Sequence, residues 1–263
     1  MYTTFLRWNI CAFGLCFLIT LIHLFHVCGT IQLGMAASPP AYDAAFWNTR
    51  YGEDGWAYGT EPSGFLATQF DSVVRPALAG SALRPLRALC IADGEGRNSI
   101  FLAQSGIFST VTAVDQSEVG MRKLEARARE LGVQDKVVAQ VADLAVWDFA
   151  ADGPWDLIVS VFAHTPPSLR EKIHLAVAAT LAPGGHFVFQ SYTPANIGRG
   201  TGGPQAAALC CTEATLRAEF AIAIASGAIR IAHLEESEKV VNEGKYHNGV
   251  AAVVEFVAVR ASE

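Results

Sequence analysis

The sequence predicts an α/β fold: a mainly parallel sheet with helices on both faces, finished by an antiparallel hairpin at its C-terminal end. Three observations predict it. Short apolar runs alternate with stretches of helical spacing from residue 87 to residue 192. The first run breaks into a glycine turn that leads directly into a helix. The last two apolar runs follow one another with no helix between them, which is the signature of a hairpin.

The first run, Arg87-Ala88-Leu89-Cys90-Ile91-Ala92, has the composition of a buried parallel strand. Asp93-Gly94-Glu95-Gly96 then turns the chain, and Arg97 to Ala103 resumes with helical spacing. A strand, a glycine turn and a helix start make a nucleotide-type pocket, because glycine lets a ligand approach the backbone and the helix amides face it. The second strand, Ser109 to Asp115, ends in a carboxylate 19 residues after Gly96. An acid at that spacing is placed to accept from the ribose hydroxyls of an adenosine cofactor.

The remaining elements follow in order. Ser117 caps a helix to Leu131 that Gly132 stops. Lys136 to Val141 is a third strand, and Asp143 follows it, with two roles open: accepting from an adenine amino group, or capping the next turn. Trp155 to Phe162 is a fourth strand that delivers His164 to the same sheet edge. A histidine there can orient a substrate or act as a base, and it can equally be a packed loop residue. Ser168 is expected to cap a helix to Leu181, and Pro183-Gly184-Gly185 to turn into a fifth strand, His186 to Tyr192. The polar loop from Thr193 to Gln205, with Arg199, is expected to serve substrate. Thr212 caps a helix through Phe220, and Ala228 to Leu234 and Gly249 to Val259 form the closing hairpin.

Ahead of this core (87–263), residues 35–86 form a cap or lid and a first helix, Phe65 to Leu78. Trp47, Tyr51, Trp56 and Tyr58 lie in a glycine-rich context, which suits either a structural cap or a lid that keeps water from a cofactor. Residues 1–34 are an apolar leader with Arg7 as its one charge. Membrane anchor, cleaved signal and a misassigned start with translation beginning at Met35 are the three readings, and the last is preferred, since the core is complete without the leader. Membrane contact is expected only if residues 9–28 are a real anchor.

Beyond the leader, 25 acidic residues face 18 basic ones with no basic cluster, which excludes a nucleic-acid footprint and leaves a small-molecule partner as the expectation. The six cysteines show no disulfide framework and no metal-binding spacing, so a reducing, cytoplasmic setting and no metal are expected.

Read this far, the chain resembles the class I S-adenosylmethionine-dependent methyltransferases, whose Rossmann-like sheet has seven strands with the last inserted antiparallel. The glycine turn with Asp115, Trp155-Asp156-Leu157-Ile158 and Leu181-Ala182-Pro183-Gly184-Gly185 carry the likeness. More narrowly, Gly94-Glu95-Gly96-Arg97-Asn98, the Trp56 to Pro62 segment and Gly202-Gly203-Pro204 are similar to the tellurite-resistance and thiopurine-methyltransferase-like branch. The resemblance implies S-adenosyl-L-methionine as cofactor, with Gly94 and Gly96 beneath its methionine part, Asp115 and Gln116 near the ribose, and Asp143 with Leu144 around the adenine. Trp47 and Tyr58 would cover the sulfonium. Cys90 stands at the class's usual acid and Ala92 at its first glycine, which leaves Asp93 as the carboxylate for the ammonium group. His164, Arg199 and His247 are the candidates for orienting the acceptor, a thiol, chalcogen oxyanion or similar nucleophile. A nicotinamide-dependent oxidoreductase and a non-catalytic cofactor-binding module are the alternatives. The acceptor and the oligomeric state are not expressed in the sequence.

Overall fold

A computed structural model of the chain describes residues 42–79 and 84–262. The leader and its three readings lie outside the described residues. Among the described residues no helix is long and apolar enough to cross a membrane.

Seven strands form one sheet in the order β3-β2-β1-β4-β5-β7-β6. They are β1 (Leu86–Ile91), β2 (Phe108–Asp115), β3 (Val137–Val141), β4 (Trp155–Val161), β5 (Leu181–Tyr192), β6 (Ile229–Glu243) and β7 (His247–Arg260). The first five pair in parallel, and β7 inserts antiparallel between β5 and β6. This is the mainly parallel, Rossmann-like sheet with a C-terminal hairpin that the sequence predicts. Its strand order reverses between β1 and β4, and a crevice opens at that reversal above the strands' carboxyl ends.

Side chains alternate across the sheet, so each strand feeds two cores. Ala88 and Cys90 of β1 join Phe65, Leu66, Phe70 and Leu102 on one face. Leu89 and Ile91 join Ile173, Val177, Leu216 and Phe220 on the other. The helices supplying these faces are α1 (Ala44–Tyr51), α2 (Gly64–Gln69), α3 (Arg75–Ala79), α4 (Arg97–Gln104), α5 (Glu118–Glu130), α6 (Pro167–Thr180), α7 (Glu213–Glu219) and α8 (Ala221–Ala225). A π-helical turn, Phe70–Val74, joins α2 to α3 within the predicted first helix.

Several local expectations hold. Ser117 accepts from Gly120 N–H at 3.1 Å and Thr212 from Thr215 N–H at 3.1 Å, each capping its helix. Others are corrected. Pro166, not Ser168, is the N-cap of α6; its side chain has no acceptor, so the helix has no side-chain cap, and Pro167 at the first position has no N–H to satisfy. The hairpin is longer than its apolar runs, since β6 extends through Glu235, Glu236, Glu238 and Lys239 to Glu243. An edge strand with one wet side tolerates such charges, and they protect it from further pairing.

Candidate active site

At the end of β1 the chain turns through Ala92 to Gly96 with φ of 52° at Ala92, 61° at Gly94 and 85° at Gly96. Ala92 therefore keeps the left-handed backbone of a glycine despite its side chain, at a cost of about 1 kcal/mol. Gly96 has a packing role: a Cβ there would sit 2.2 Å from Leu124 Cδ1 of α5. It does not line the cavity into which the turn opens.

The turn opens into a cavity of about 180 Å³ lined by Trp47, Tyr51, Tyr58, Asp93, Gly94, Asp115, Gln116, Asp143, Leu144, Phe162, His164 and His247, among others. All nine predicted cofactor residues except Gly96 are brought together here. Two of the three acceptor candidates, His164 and His247, line the same space. Arg199 does not. It lies exposed, donating to Glu238 Oε1 at 2.6 Å and to Ala195 O at 2.8 Å. The Thr193 to Gln205 loop backs the site without lining it. A Cβ on Gly202 would lie 2.7 Å from His247 Cδ2, and one on Gly203 would lie 2.5 Å from Tyr192 Cδ2.

Asp115 is buried, and its two oxygens accept from Gly94 N–H at 2.9 Å and Ser117 N–H at 2.8 Å. Burial raises its pKa, and those backbone donors oppose the rise. Asp143 Oδ1 caps the following turn, accepting from Ala145 N–H at 2.8 Å, so the capping role holds while the residue still lines the cavity. Gln116 donates to Tyr42 O at 2.9 Å and ties the N-terminal segment to the end of β2.

Asp93 is the unusual group. It is buried, and its Oδ1 has no hydrogen-bond partner, while Oδ2 accepts a long bond of 3.4 Å from Ser99 N–H. Burial raises its pKa to about 7. A buried carboxylate oxygen without a donor is a costly feature that a cationic ligand would satisfy. Asp93, Glu95, Asp115 and Asp143 all line the cavity, whereas its one cationic side chain, Arg97, is paired to Glu243 at 2.6 Å. An unpartnered carboxylate oxygen in an acidic cavity suits a cationic ligand, and S-adenosyl-L-methionine, with its ammonium and sulfonium, fits these residues.

A strap over this cavity is anchored by residues that sequence reasoning missed. Lys123 of α5 donates to Tyr51 O at 2.8 Å, Gly55 O at 2.7 Å and Glu95 Oε1 at 2.6 Å. Glu95 Oε2 accepts from Ala57 N–H at 2.8 Å. Asn48 Oδ1 accepts from Ser117 Oγ at 2.7 Å and from Val119 N–H at 3.2 Å. Trp47 stacks on Tyr51 at 5.6 Å. The far side of the strap meets the β6–β7 turn, where Lys245 pairs with Glu53 and a Cβ on Gly244 would come within 2.4 Å of Gly59 N. The aromatic cluster marks this segment in the sequence; its polar anchors have no such signal, because Lys123 reads as an ordinary solvated helix face.

One His/Glu grouping among the described residues, His233, Glu235 and Glu255, has ligand atoms within 4.8 Å of one another. The Lys239 ammonium already holds Glu255 there at 2.5 Å.

Residues 88–185 match the methyltransferase domain family. No curated protein matches the chain. Among solved structures, the fold is similar to that of the protein described for conversion of a disulfide bond into a thioacetal group during echinomycin biosynthesis, at 18% identity and TM-score 0.57, covering 83% of this chain and 92% of that one. It is similar to the CcbJ methyltransferase from Streptomyces caelestis, at 17% identity and TM-score 0.55, covering 82% and 96%. It also resembles magnesium protoporphyrin IX methyltransferase from Synechocystis PCC 6803 with bound S-adenosylmethionine, at 18% identity and TM-score 0.52, covering 83% and 95%. The domain match over residues 88–185 and the fold shared with these structures support a methyltransferase that uses S-adenosyl-L-methionine.

Proposed function

We propose that the chain methylates a small-molecule acceptor, a thiol or similar soft nucleophile, in the manner of the tellurite-resistance and thiopurine-methyltransferase-like branch. The observation that carries the reading is the unpartnered Asp93 Oδ1 in a cavity shared with Asp115, His164 and His247. The Gly94 to Asn98 turn and the aromatic strap support the narrower branch.

When bound, S-adenosyl-L-methionine supplies a methyl group already activated on a sulfonium. Asp93 would hold its ammonium, Asp115 and Gln116 its ribose, and Asp143 with Leu144 its adenine. Trp47, Tyr51 and Tyr58 exclude water, which favours displacement by a poorly solvated nucleophile. Phe162, itself left-handed at φ 56°, and His164 form the wall at the end of β4. Burial lowers the His164 pKa to about 3, so the ring is neutral and orients an acceptor by hydrogen bonding without adding charge. The test is transfer of a labelled methyl group to a panel of thiols, phenols and amines. Transfer to thiols supports the reading; transfer only to amines contradicts it.

A further inference from the structure

Glu243 closes β6 and His247 opens β7, so the three-residue turn between them sets both side chains at one end of the hairpin. His247 is buried and lines the cavity that holds Asp93 and Asp115. Its Nδ1 faces Glu243 Oε2 at 3.7 Å, an electrostatic contact longer than a hydrogen bond. Arg97 Nη2 holds the same Glu243 oxygen at 2.6 Å. Tyr58 and Phe162 pack on the imidazole with ring centroids at 4.4 and 4.7 Å, and Gly202 closes in on Cδ2 from behind. A ring fixed on these sides, with a carboxylate toward one nitrogen, has a defined tautomer.

We propose that Glu243 and His247 form a carboxylate–imidazole pair that takes the proton from the methyl acceptor, and that the acceptor is therefore a neutral thiol. The inference rests on the methyl-transfer reading above. Glu243 is the positioning residue: its carboxylate favours hydrogen on Nδ1 and leaves the Nε2 lone pair as the base. As the acceptor sulfur gives its proton to Nε2, its electron pair forms the new sulfur–carbon bond. The old bond from the methyl group to the donor sulfur breaks with its pair staying on that sulfur. The positive charge lost there reappears on the imidazolium, beside Glu243.

The electrostatics fit this assignment. Burial lowers the His247 pKa, Glu243 opposes that, and Arg97 and Arg50 add to the lowering, so the ring is neutral near pH 7 and free to accept. Burial alone would raise the Glu243 pKa, but His247 and Arg97 together hold it below its ordinary range. The other titratable groups facing the ring are Tyr58, Tyr192 and His164, and burial favours the neutral form of all three. An imidazole of this strength deprotonates a thiol of pKa about 8.5 far more readily than an alcohol. An oxyanion would meet Asp93, Asp115 and Asp143, with Arg97 already held by Glu243. Glu243 also lines a second cavity of about 590 Å³, whose wall with the first is made by Tyr58, Gly59 and Arg97.

The experiment is nitrogen-15 NMR of labelled histidines in the full chain with S-adenosylhomocysteine, comparing wild type, Glu243→Gln and His247→Gln, the last for assignment. The expected result is a neutral His247 at pH 7 with hydrogen on Nδ1, and a lower pKa in Glu243→Gln. Hydrogen on Nε2, or a pKa unmoved by Glu243→Gln, overturns the proposal. Failure of S-adenosylhomocysteine to bind at all would instead fail the methyl-transfer reading. With 2-mercaptoethanol as acceptor, His247→Gln is expected to lose about 100-fold in rate at pH 7 and to recover as pH rises and the thiol ionises by itself. Equal rates at pH 7, or no methylation of the thiol by wild type that binds S-adenosylhomocysteine, would overturn it.

Discussion

Gly94 donates its backbone N–H to Asp115 Oδ2 at 2.9 Å, so the carboxylate at the end of β2 holds the turn at the end of β1 in shape. One residue thus both builds the cavity and faces it. Asp115→Ala is expected to abolish cofactor binding and to lower stability by about 3 kcal/mol, since two buried N–H groups lose a charged acceptor. Chemical denaturation with a parallel ligand titration checks both. An unchanged unfolding midpoint would contradict the structural half of this account.

Asp93 couples ligand binding to stability. Its folded pKa of about 7 lies above the ordinary carboxyl value of 3.8, so the folded state binds the extra proton and the contribution to stability is fully present at low pH. It is lost as pH rises from about 4 to 7, to the extent of about 4 kcal/mol by linkage. Asp93→Asn, which removes that charge, is expected to melt higher than wild type at pH 8 without ligand and to lose this advantage at pH 5. Thermal scans at the two pH values decide it; the opposite order would show that Asp93 is satisfied in the free protein.

Ala92 sits at φ 52°, a backbone conformation that glycine adopts without strain. Ala92→Gly relieves that strain, partly offset by the greater freedom of glycine in the unfolded chain, and is expected to stabilise by about 0.5–1 kcal/mol. A loss of stability in denaturant titrations would mean that the Ala92 methyl group packs usefully.

Lys123 joins the strap to α5 through three carbonyl or carboxylate oxygens within 2.8 Å. In Lys123→Met, Glu95 remains buried without its cation, at a cost of about 3 kcal/mol. Hydrogen exchange of residues 44–58 should speed up more than exchange in β1 or β4. Uniform acceleration throughout would instead indicate global destabilisation with no role in holding the strap.

Arg199 provides the control. Its ion pair with Glu238 is exposed, so Arg199→Ala should change stability by no more than about 0.5 kcal/mol and leave cofactor affinity unaltered. A substantial loss of affinity would return the residue to the site.

The legible parts of this molecule are those where local chemistry and global role coincide. Asp115 is visible because an apolar strand ends abruptly in a carboxylate, and Ser117 because a capping serine starts a helix. The closing hairpin shows itself through two apolar runs with no helix between them. Glu243 and Lys123 were hidden for the opposite reason. Each lies among charged residues of an exposed edge strand or helix face, and only the fold reveals which of those charges turns inward. Arg199 is a candidate in sequence because a polar glycine-rich loop near the strand ends suggests substrate contact; in the fold Gly202 and Gly203 pack behind His247 and Tyr192, and Arg199 lies outside the cavity lining. Asp143 showed both candidate roles in sequence, and capping is the one its hydrogen bond displays.

The most direct test of the account is calorimetric titration of wild type and Asp93→Asn with S-adenosylhomocysteine between pH 6 and pH 8. In the proposed site the ammonium of the ligand pairs with an ionised Asp93. Wild-type affinity should therefore rise with pH up to about 7 and then level off, with a proton released on binding at the lower pH. Asp93→Asn should bind at least about 10-fold more weakly at pH 8 and show no such rise. Equal affinity in the two proteins, or no binding by either while both remain folded, would contradict the assignment of this cavity as the cofactor site.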